Sequence, residues 1–197
     1  MSSEESPPRL ILASASPRRR ELLYQTPLRF RVIPSHTEET RRREETPEAY
    51  VARIAAEKAH TVAKRQPGFW VLAADTIVVL EGQVFGKPTN LDNARQMLTS
   101  LSGHLHQVMT AFVLLDPAGK TTTVEVVTSQ VTFKELSESE VTAYLATGEP
   151  FDKAGAYAIQ GKGRDLVAQV SGSHTNIIGL PMDEVTAALR AVGLLPA

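Results

Sequence analysis

The sequence predicts an α/β fold, a mixed β-sheet flanked by helices. Three observations carry this. Strand-like and helix-like segments alternate along the chain, with no internal repeat and no low-complexity linker. Two pairs of strand-like segments are joined by tight-turn residues, Glu81-Gly82 and Asp116-Pro-Ala-Gly119, which implies antiparallel pairing. Elsewhere a helix-like segment lies between strands, and a helical crossover favours parallel neighbours.

The elements follow in order. Leu10-Ile11-Leu12-Ala13 is a short apolar run that reads as a buried strand. It stops at two serines, where Ser16 stands as an N-cap and Pro17 at the first position of a helix to about Gln25. Leu28 to Pro34 alternates apolar and polar as a half-buried strand does. His36 to Thr46, with three arginines and four glutamates, reads as an exposed loop, and Thr46-Pro47 opens a helix to about Gln66. Phe69 to Leu80 reads as a central strand that turns back at Glu81-Gly82 into Val84-Phe85. Asn90 caps a helix through Leu101, ended by Gly103. His106 to Leu115 and Thr121 to Phe133 form a long hairpin. Ser137 and Glu140 have capping-box spacing, starting a helix that ends at Gly148. A glycine-rich stretch from Lys153 to Gly163, a strand at Leu166 to Val170 and a helix from Pro181 to Val192 complete the chain.

Composition bounds the function classes. With 197 residues, 42% of them apolar and 22% charged, the chain is expected to fold as one domain over residues 9–197. Residues 1–8 read as a loose, disordered tail, acidic and polar rather than a signal peptide. A net charge of −1 provides no general basic field, so no stable nucleic-acid partner is expected. There are no cysteines, which excludes disulfides, thiolate metal sites and cysteine nucleophiles and fits a cytoplasmic protein. The longest apolar stretch, Phe69 to Leu80, is too short to span a bilayer and contains Asp75, so no membrane association is expected.

Several residues stand where ordinary patterning would not put them. A helix N-terminus is already positive, yet Arg18 and Arg19 occupy the first turn, with Arg20 next; an anion among them would relieve the repulsion. Together with Ser14 and Ser16 they make a plausible phosphate receptor, against the blander reading of a solvated basic helix start. Lys58 falls on the apolar stripe Val51, Ile54, Ala55, Val62, where a lysine usually snorkels past its neighbours to water. Asp75 interrupts a strand that is otherwise apolar on both faces. Its carboxylate requires either a cationic partner or a cleft opening at Asp75-Thr76. Lys87 and Lys153 each stand beside turn residues that can present an ammonium to a cleft, although surface lysines are common. Gln160 offers a donor and an acceptor suited to the edge of a base, in a small-residue segment that suggests a tight pocket. No Walker A sequence, G-x-G-x-x-G, His/Cys metal spacing or G-x-S-x-G elbow is present, and the five scattered histidines suggest no role.

From Leu10 to about Leu189 these segments resemble the Maf family of nucleoside triphosphate pyrophosphatases. The resemblance is carried by Ser14-Ala-Ser16-Pro17-Arg18-Arg19, Ser35 with Glu38-Glu39, Glu57-Lys58, Asp75-Thr76, Gly86-Lys87-Pro88, Ser102-Gly103, Gly148-Glu149-Pro150, Asp152-Lys153-Ala-Gly-Ala-Tyr157, Gln160-Gly161 and Gly179-Leu-Pro181. It implies an elongated two-lobed fold around a cleft, similar to the inosine triphosphate pyrophosphatases, and a homodimer. It implies cleavage of a nucleoside triphosphate to the monophosphate and pyrophosphate with a divalent cation, Mg²⁺ or Mn²⁺. Arg18, Thr76 and Gln160 match the subgroup acting on dTTP and UTP, so the implied partner is a pyrimidine nucleoside triphosphate, with CTP a weaker one. The resemblance assigns catalysis to Asp75, Glu39, Lys58 and Lys87, with Glu39 and Asp75 also as metal ligands. Ser14, Arg18, Arg19, Thr76, Lys153 and Gln160 are the implied substrate-binding set. His36 and His174-Thr175 depart from the common family pattern. Two other readings stand beside this one: a nucleotide-binding regulator of septum formation without turnover, and an enzyme acting on 7-methyl-GTP or inosine-type triphosphates.

Overall fold

The computed structural model describes residues 9–196, and the expected tail at residues 1–8 lies outside the described residues. Strand β1 (Leu10–Leu12) is buried throughout and pairs in parallel with β2 (Phe30–Val32) on one side and β3 (Trp70–Leu80) on the other. The remaining pairs are antiparallel: β3 with β4 (Gln83–Phe85), β3 with β5 (Leu105–Leu115), β5 with β6 (Thr121–Phe133), and β6 with β7 (Val167–Ser171). The result is a seven-stranded mixed sheet, ordered β2-β1-β3-β5-β6-β7, with β4 added to β3. The two tight-turn pairs, β3–β4 and β5–β6, are antiparallel and the pairs β1 makes across helical connections are parallel, as the sequence predicts. However, β3–β5 and β6–β7 are antiparallel although a helix lies within each connection, because each of these connections returns the chain at the end of the sheet it left.

One feature of this sheet creates the site. β5 occupies one edge of β3 along nearly its whole length. On the other edge β1 reaches only Trp70–Leu72 and β4 only Val78–Leu80. Between them residues 73–77 have no strand partner on that edge among the described residues, and Asp75 and Thr76 sit at the centre of the gap.

The helices cover the sheet in two layers. On one face α2 (Pro47–Arg65) lays Val51, Ile54, Ala55, Ala59 and Val62 against Val71, Ala73, Ile77 and Val79 of β3 and odd-numbered residues of β5. The opposite face carries two separate cores. Near β1, α1 (Pro17–Leu23) and α6 (Met182–Ala191) bury Leu72, Ala74, Phe112 and Leu114. Further along, α3 (Leu91–Leu101) and α4 (Glu138–Leu145) bury Val78, Val108, Val131 and Phe133. Burying each such aliphatic or aromatic side chain stabilises the fold by about 1.5–3 kcal/mol. The short helix α5 (His174–Ile178) lies at the junction, with Ile177 packed on one core and Ile178 on the other.

Local chemistry agrees with the reading from sequence. Ser16, Thr46 and Asn90 accept backbone N–H bonds as N-caps, and Ser137 and Glu140 form both halves of a capping box. Helix ends shift by at most three residues, α3 ends at Leu101 as expected, and β2 keeps only Phe30–Val32 of the expected Leu28–Pro34. Two differences are larger. α5 is too short for a periodic signal and escapes prediction, although Ser173 caps it. The glycine-rich stretch is a chain of short 3₁₀ turns, Glu149–Asp152, Ala154–Ala156 and Gly161–Leu166. Gly155 is required within it, because its φ is 67° and a Cβ would lie 2.9 Å from a Val78 methyl. Among the described residues no helix is long and apolar enough to cross a membrane.

Candidate active site

The gap in β3 opens into a cleft of about 410 Å³. All ten residues expected in the site line it: Ser14, Arg18 and Arg19 from the β1–α1 junction, Glu39 after β2, Lys58 of α2, Asp75 and Thr76 of β3, Lys87 after β4, and Lys153 and Gln160 from the 3₁₀ segment. Because side chains alternate along a strand, Asp75 faces the α2 layer and Thr76 the opposite one. The cleft therefore has two polar floors, one on each side of β3.

On the α2 side Lys58 joins two acids. Its ammonium lies 2.6 Å from Asp75 Oδ1 and 2.6 Å from Glu39 Oε1. Lys58 is only 7% exposed and Asp75 5%. The expectation that Lys58 snorkels to water is thus overturned: the neighbouring carboxylates compensate its charge in place, which water cannot do so deep under α2. Glu39 is less deeply set, its side chain 38% exposed. Burial pushes the Glu39 carboxyl up, but the Lys58 ammonium, with Lys87 and Arg19 beyond it, more than reverses this and holds it below its ordinary value. The loop that carries Glu39 is anchored rather than loose, because the Tyr50 hydroxyl donates to the Glu39 carbonyl at 2.7 Å. Arg53 adds bonds to the Thr40 carbonyl and to the Glu45 carboxylate.

On the other side Arg19 crosses the cleft. It donates from Nε to the Gly179 carbonyl at 2.7 Å, from Nη2 to Thr76 Oγ1 at 2.9 Å and from Nη1 to Ser14 Oγ at 3.4 Å. A guanidinium has five N–H donors, so these three bonds leave two for a ligand. Burial depresses the Arg19 guanidinium while the Asp75 and Glu39 charges oppose the shift, and an arginine so placed stays cationic.

The remaining cations differ in availability. Arg18 pairs with Asp152 at 3.3 Å, across the mouth of the cleft. Lys153 donates to the Glu149 carbonyl at 2.6 Å and also contacts Asp152. The Gly155 amide donates to the Gly86 carbonyl at 3.0 Å, which ties the Lys153 segment to the turn bearing Lys87. Lys87 itself is exposed and has no hydrogen bond or ion pair among the described residues, so its ammonium is free for an anion. Gln160 also differs from expectation. It is exposed at the rim rather than enclosed in a tight pocket, because the 3₁₀ turn from Gly161 carries it outward.

Some participants escaped sequence reasoning. Tyr50 acts through a contact between distant segments that no local pattern announces, while Asp152 and Gly179 stood within the motifs that carry the resemblance but had no role assigned. Thr110 did carry a signal, since it interrupts the apolar run of β5 as Asp75 interrupts β3. Among the histidines, buried His106 hydrogen-bonds Tyr157 at 2.7 Å behind the cleft wall, and burial lowers it to about 4, so it is neutral and structural.

Among the described residues no three His, Cys, Asp or Glu side chains gather into a ligand set. In the cleft Glu39 and Asp75 converge on Lys58, each meeting its ammonium with one oxygen at 2.6 Å. Two carboxylates suit a hard divalent cation that draws its further ligands from water and substrate phosphates.

Fold and cleft together define the class: a mixed α/β protein with a buried lysine–dicarboxylate centre and cationic walls, built to receive a strongly anionic ligand. The chain belongs to the Maf family, its residues 9–192 matching the family described as Maf-like protein. It is 54% identical to the dTTP/UTP pyrophosphatase of Myxococcus xanthus (strain DK1622), over 94% of this chain and 93% of that one. It is 48% identical to the dTTP/UTP pyrophosphatase of Syntrophus aciditrophicus (strain SB), over 95% and 91% respectively. Among solved structures it is similar to a HAM1 protein from Coxiella burnetii, with a TM-score of 0.50 and 13% identity over 94% of this chain and all of that one, a likeness of fold.

Proposed function

We propose that the chain hydrolyses dTTP and UTP to the nucleoside monophosphate and pyrophosphate. The observation that carries this is Lys58 Nζ at 2.6 Å from both Glu39 and Asp75, on the floor of a cleft whose Lys87 is unpaired. Two acids facing a triphosphate repel it unless a cation intervenes, so a site that only bound nucleotide would have no use for them. Here Lys58 keeps both in place and offsets part of their charge. The names of the curated relatives support the same substrates.

In this reading water attacks the α-phosphorus, the α–β anhydride P–O bond breaks, and pyrophosphate leaves with the bonding pair. The water proton passes to a carboxylate, Asp75 or Glu39. Glu39 and Asp75 would also hold a divalent cation, Mg²⁺ or Mn²⁺, which when bound neutralises charge on the triphosphate. Lys87 and the two free N–H groups of Arg19 bind phosphate oxygens and stabilise the negative charge that grows on the leaving group. Arg18, Ser14 and Lys153 border the triphosphate path, and Thr76 and Gln160 face the nucleoside. The partner is thus a pyrimidine nucleoside triphosphate, and a cytoplasmic homodimer is the setting we assign.

The test is a panel of nucleoside triphosphates with Mg²⁺ or Mn²⁺, reading pyrophosphate and orthophosphate separately. UTP should give UMP and pyrophosphate without UDP. Orthophosphate and UDP as first products would mean cleavage at the γ-phosphate and overturn the reading.

Base selection rests on Gln160. A glutamine amide accepts from N3–H and donates to O4 of uracil or thymine. Gln160→Ala should lower the UTP-to-GTP ratio of kcat/KM by about 1 kcal/mol, the low end for a bidentate base contact because the side chain is exposed. An unchanged ratio would remove Gln160 from base reading.

A further inference from the structure

The face of β3 that bears Thr76 carries a polar seam between two apolar cores, and the bonds within it run in one direction. Thr76 and Thr110 are cross-strand partners in the β3–β5 register, with their hydroxyl oxygens 2.9 Å apart. Thr110 is fully buried, and its hydroxyl also lies 2.9 Å from the Asn176 carbonyl. A carbonyl only accepts, so the Thr110 proton is committed to Asn176. Thr110 must then accept from Thr76, and Thr76 has no proton left for any other partner. Arg19 Nη2 donates to Thr76 at 2.9 Å, which completes the order Arg19 to Thr76 to Thr110 to the Asn176 carbonyl.

The acceptor at the end of this chain is held firmly. Asn176 is fully buried on α5, and its side-chain amide donates to the Val108 carbonyl at 3.0 Å and to Ser129 Oγ at 2.9 Å. Its carbonyl also accepts from the Gly179 amide at 2.9 Å. Gly179 in turn presents the carbonyl that takes Arg19 Nε. Both grips on the Arg19 guanidinium, through Thr76 and through Gly179, therefore trace back to one buried residue.

We infer that Thr110 is a positioning residue: by fixing the direction of the Thr76 hydroxyl proton toward the Asn176 carbonyl, it makes Thr76 an obligate acceptor for Arg19 and sets the Arg19 guanidinium in the cleft. A free hydroxyl at position 76 could turn its proton toward Arg19 or a phosphate and lose the grip. Chained hydrogen bonds also polarise one another, which strengthens the hold at the Arg19 end. It follows that Thr76 offers the cleft a lone pair, so the nucleotide atom it meets is an N–H or O–H and not a phosphate oxygen.

Thr110→Val tests this. It keeps the shape and the β-branch, removes only the hydroxyl, and leaves the Asn176 carbonyl bonded to Gly179. The kinetic readout rests on the pyrophosphatase reading; the spectroscopic one does not. Thr110→Val should keep Tm near that of wild type and lower kcat/KM for UTP about tenfold to a hundredfold, the scale of a misplaced catalytic group. Thr110→Ser should restore it, and adding Thr110→Val to Thr76→Val should cost nothing more. By NMR, rotation about the Arg19 Cζ–Nη2 bond should quicken by about tenfold in Thr110→Val, one hydrogen bond's worth. Thr110→Ala serves as a second hydroxyl-free variant if valine fails to fold. Lower Tm with unchanged kcat/KM and unchanged Arg19 rotation would overturn the inference. A wild-type protein that leaves UTP intact would overturn the pyrophosphatase reading instead, with the Arg19 rotation still deciding this one.

Discussion

Asp75→Asn should abolish turnover of UTP and dTTP, lowering kcat by at least about a thousandfold while the fold survives. The substitution keeps shape and removes the charge on the side chain that faces both Lys58 and the cleft. General-base action alone accounts for about 10²–10⁴-fold, and loss of a metal ligand adds to that. Its effect on stability is where the structure changes the expectation. From sequence alone, relieving a buried carboxylate should leave stability unchanged or raise it. In the structure that carboxylate is the partner of a lysine only 7% exposed, so removing it leaves a buried ammonium with Glu39 alone. A loss of about 1–3 kcal/mol is expected instead, the cost of a weakened buried charge. Steady-state kinetics with thermal unfolding on the same preparation checks both halves. Near-native kcat in a folded Asp75→Asn protein would make Asp75 a structural residue.

Lys58→Met should be the more damaging change. Methionine fills the space among Val51, Ile54 and Val62 but leaves Asp75 and Glu39 facing each other without a cation. Removing one partner of a buried pair typically costs about 3–5 kcal/mol, so the melting temperature should fall well beyond that of Asp75→Asn. Activity should fall by orders of magnitude, because the two acids lose their register and the triphosphate meets uncompensated negative charge. The double variant Lys58→Met/Asp75→Asn separates the two effects. Removing both buried charges should recover much of the lost stability and none of the activity. If the double variant is no more stable than Lys58→Met, the ion pair is not the main contribution of Lys58 to the fold.

A regulator that bound nucleotide without turnover would behave differently in both experiments. Its Asp75→Asn variant would bind triphosphate more tightly through loss of repulsion, and there would be no rate to lose. Hydrolysis by wild type and its loss in the variant therefore decide between an enzyme and a binding module.

The sequence anomalies that pointed to the site were residues that break a pattern. Asp75 in an apolar strand and Lys58 on an apolar helical stripe were visible because period-two and 3.6-residue patterning make an intruder stand out. That they break their patterns for each other was not visible, since a sequence of one chain does not say which face of β3 lies under α2. Arg19 shows the same limit. Its place in the first turn of α1 suggested an anion receptor, yet three of its N–H groups are committed to Gly179, Thr76 and Ser14. Lys87 was read as a lysine beside a turn that could face a cleft, and only the structure shows that, among the described residues, its ammonium has no hydrogen bond or ion pair.

By itself the sequence determined the α/β class and nearly every strand and long helix, and together with the family resemblance it named ten of the residues that line the cleft. Periodicity, caps and turn residues are local properties, and they survive folding because tertiary packing here reinforces them. Tertiary structure alone decided how those residues are connected. The gap in β3 exists because β1 and β4 pair with its two ends and do not meet along its edge, and that both lie on the same edge is a matter of sheet topology. The seam from Arg19 to Asn176 exists because two apolar cores meet over β3 and β5 with α5 between them. Both depend on segments far apart in the chain coming within hydrogen-bond reach, which no local pattern encodes.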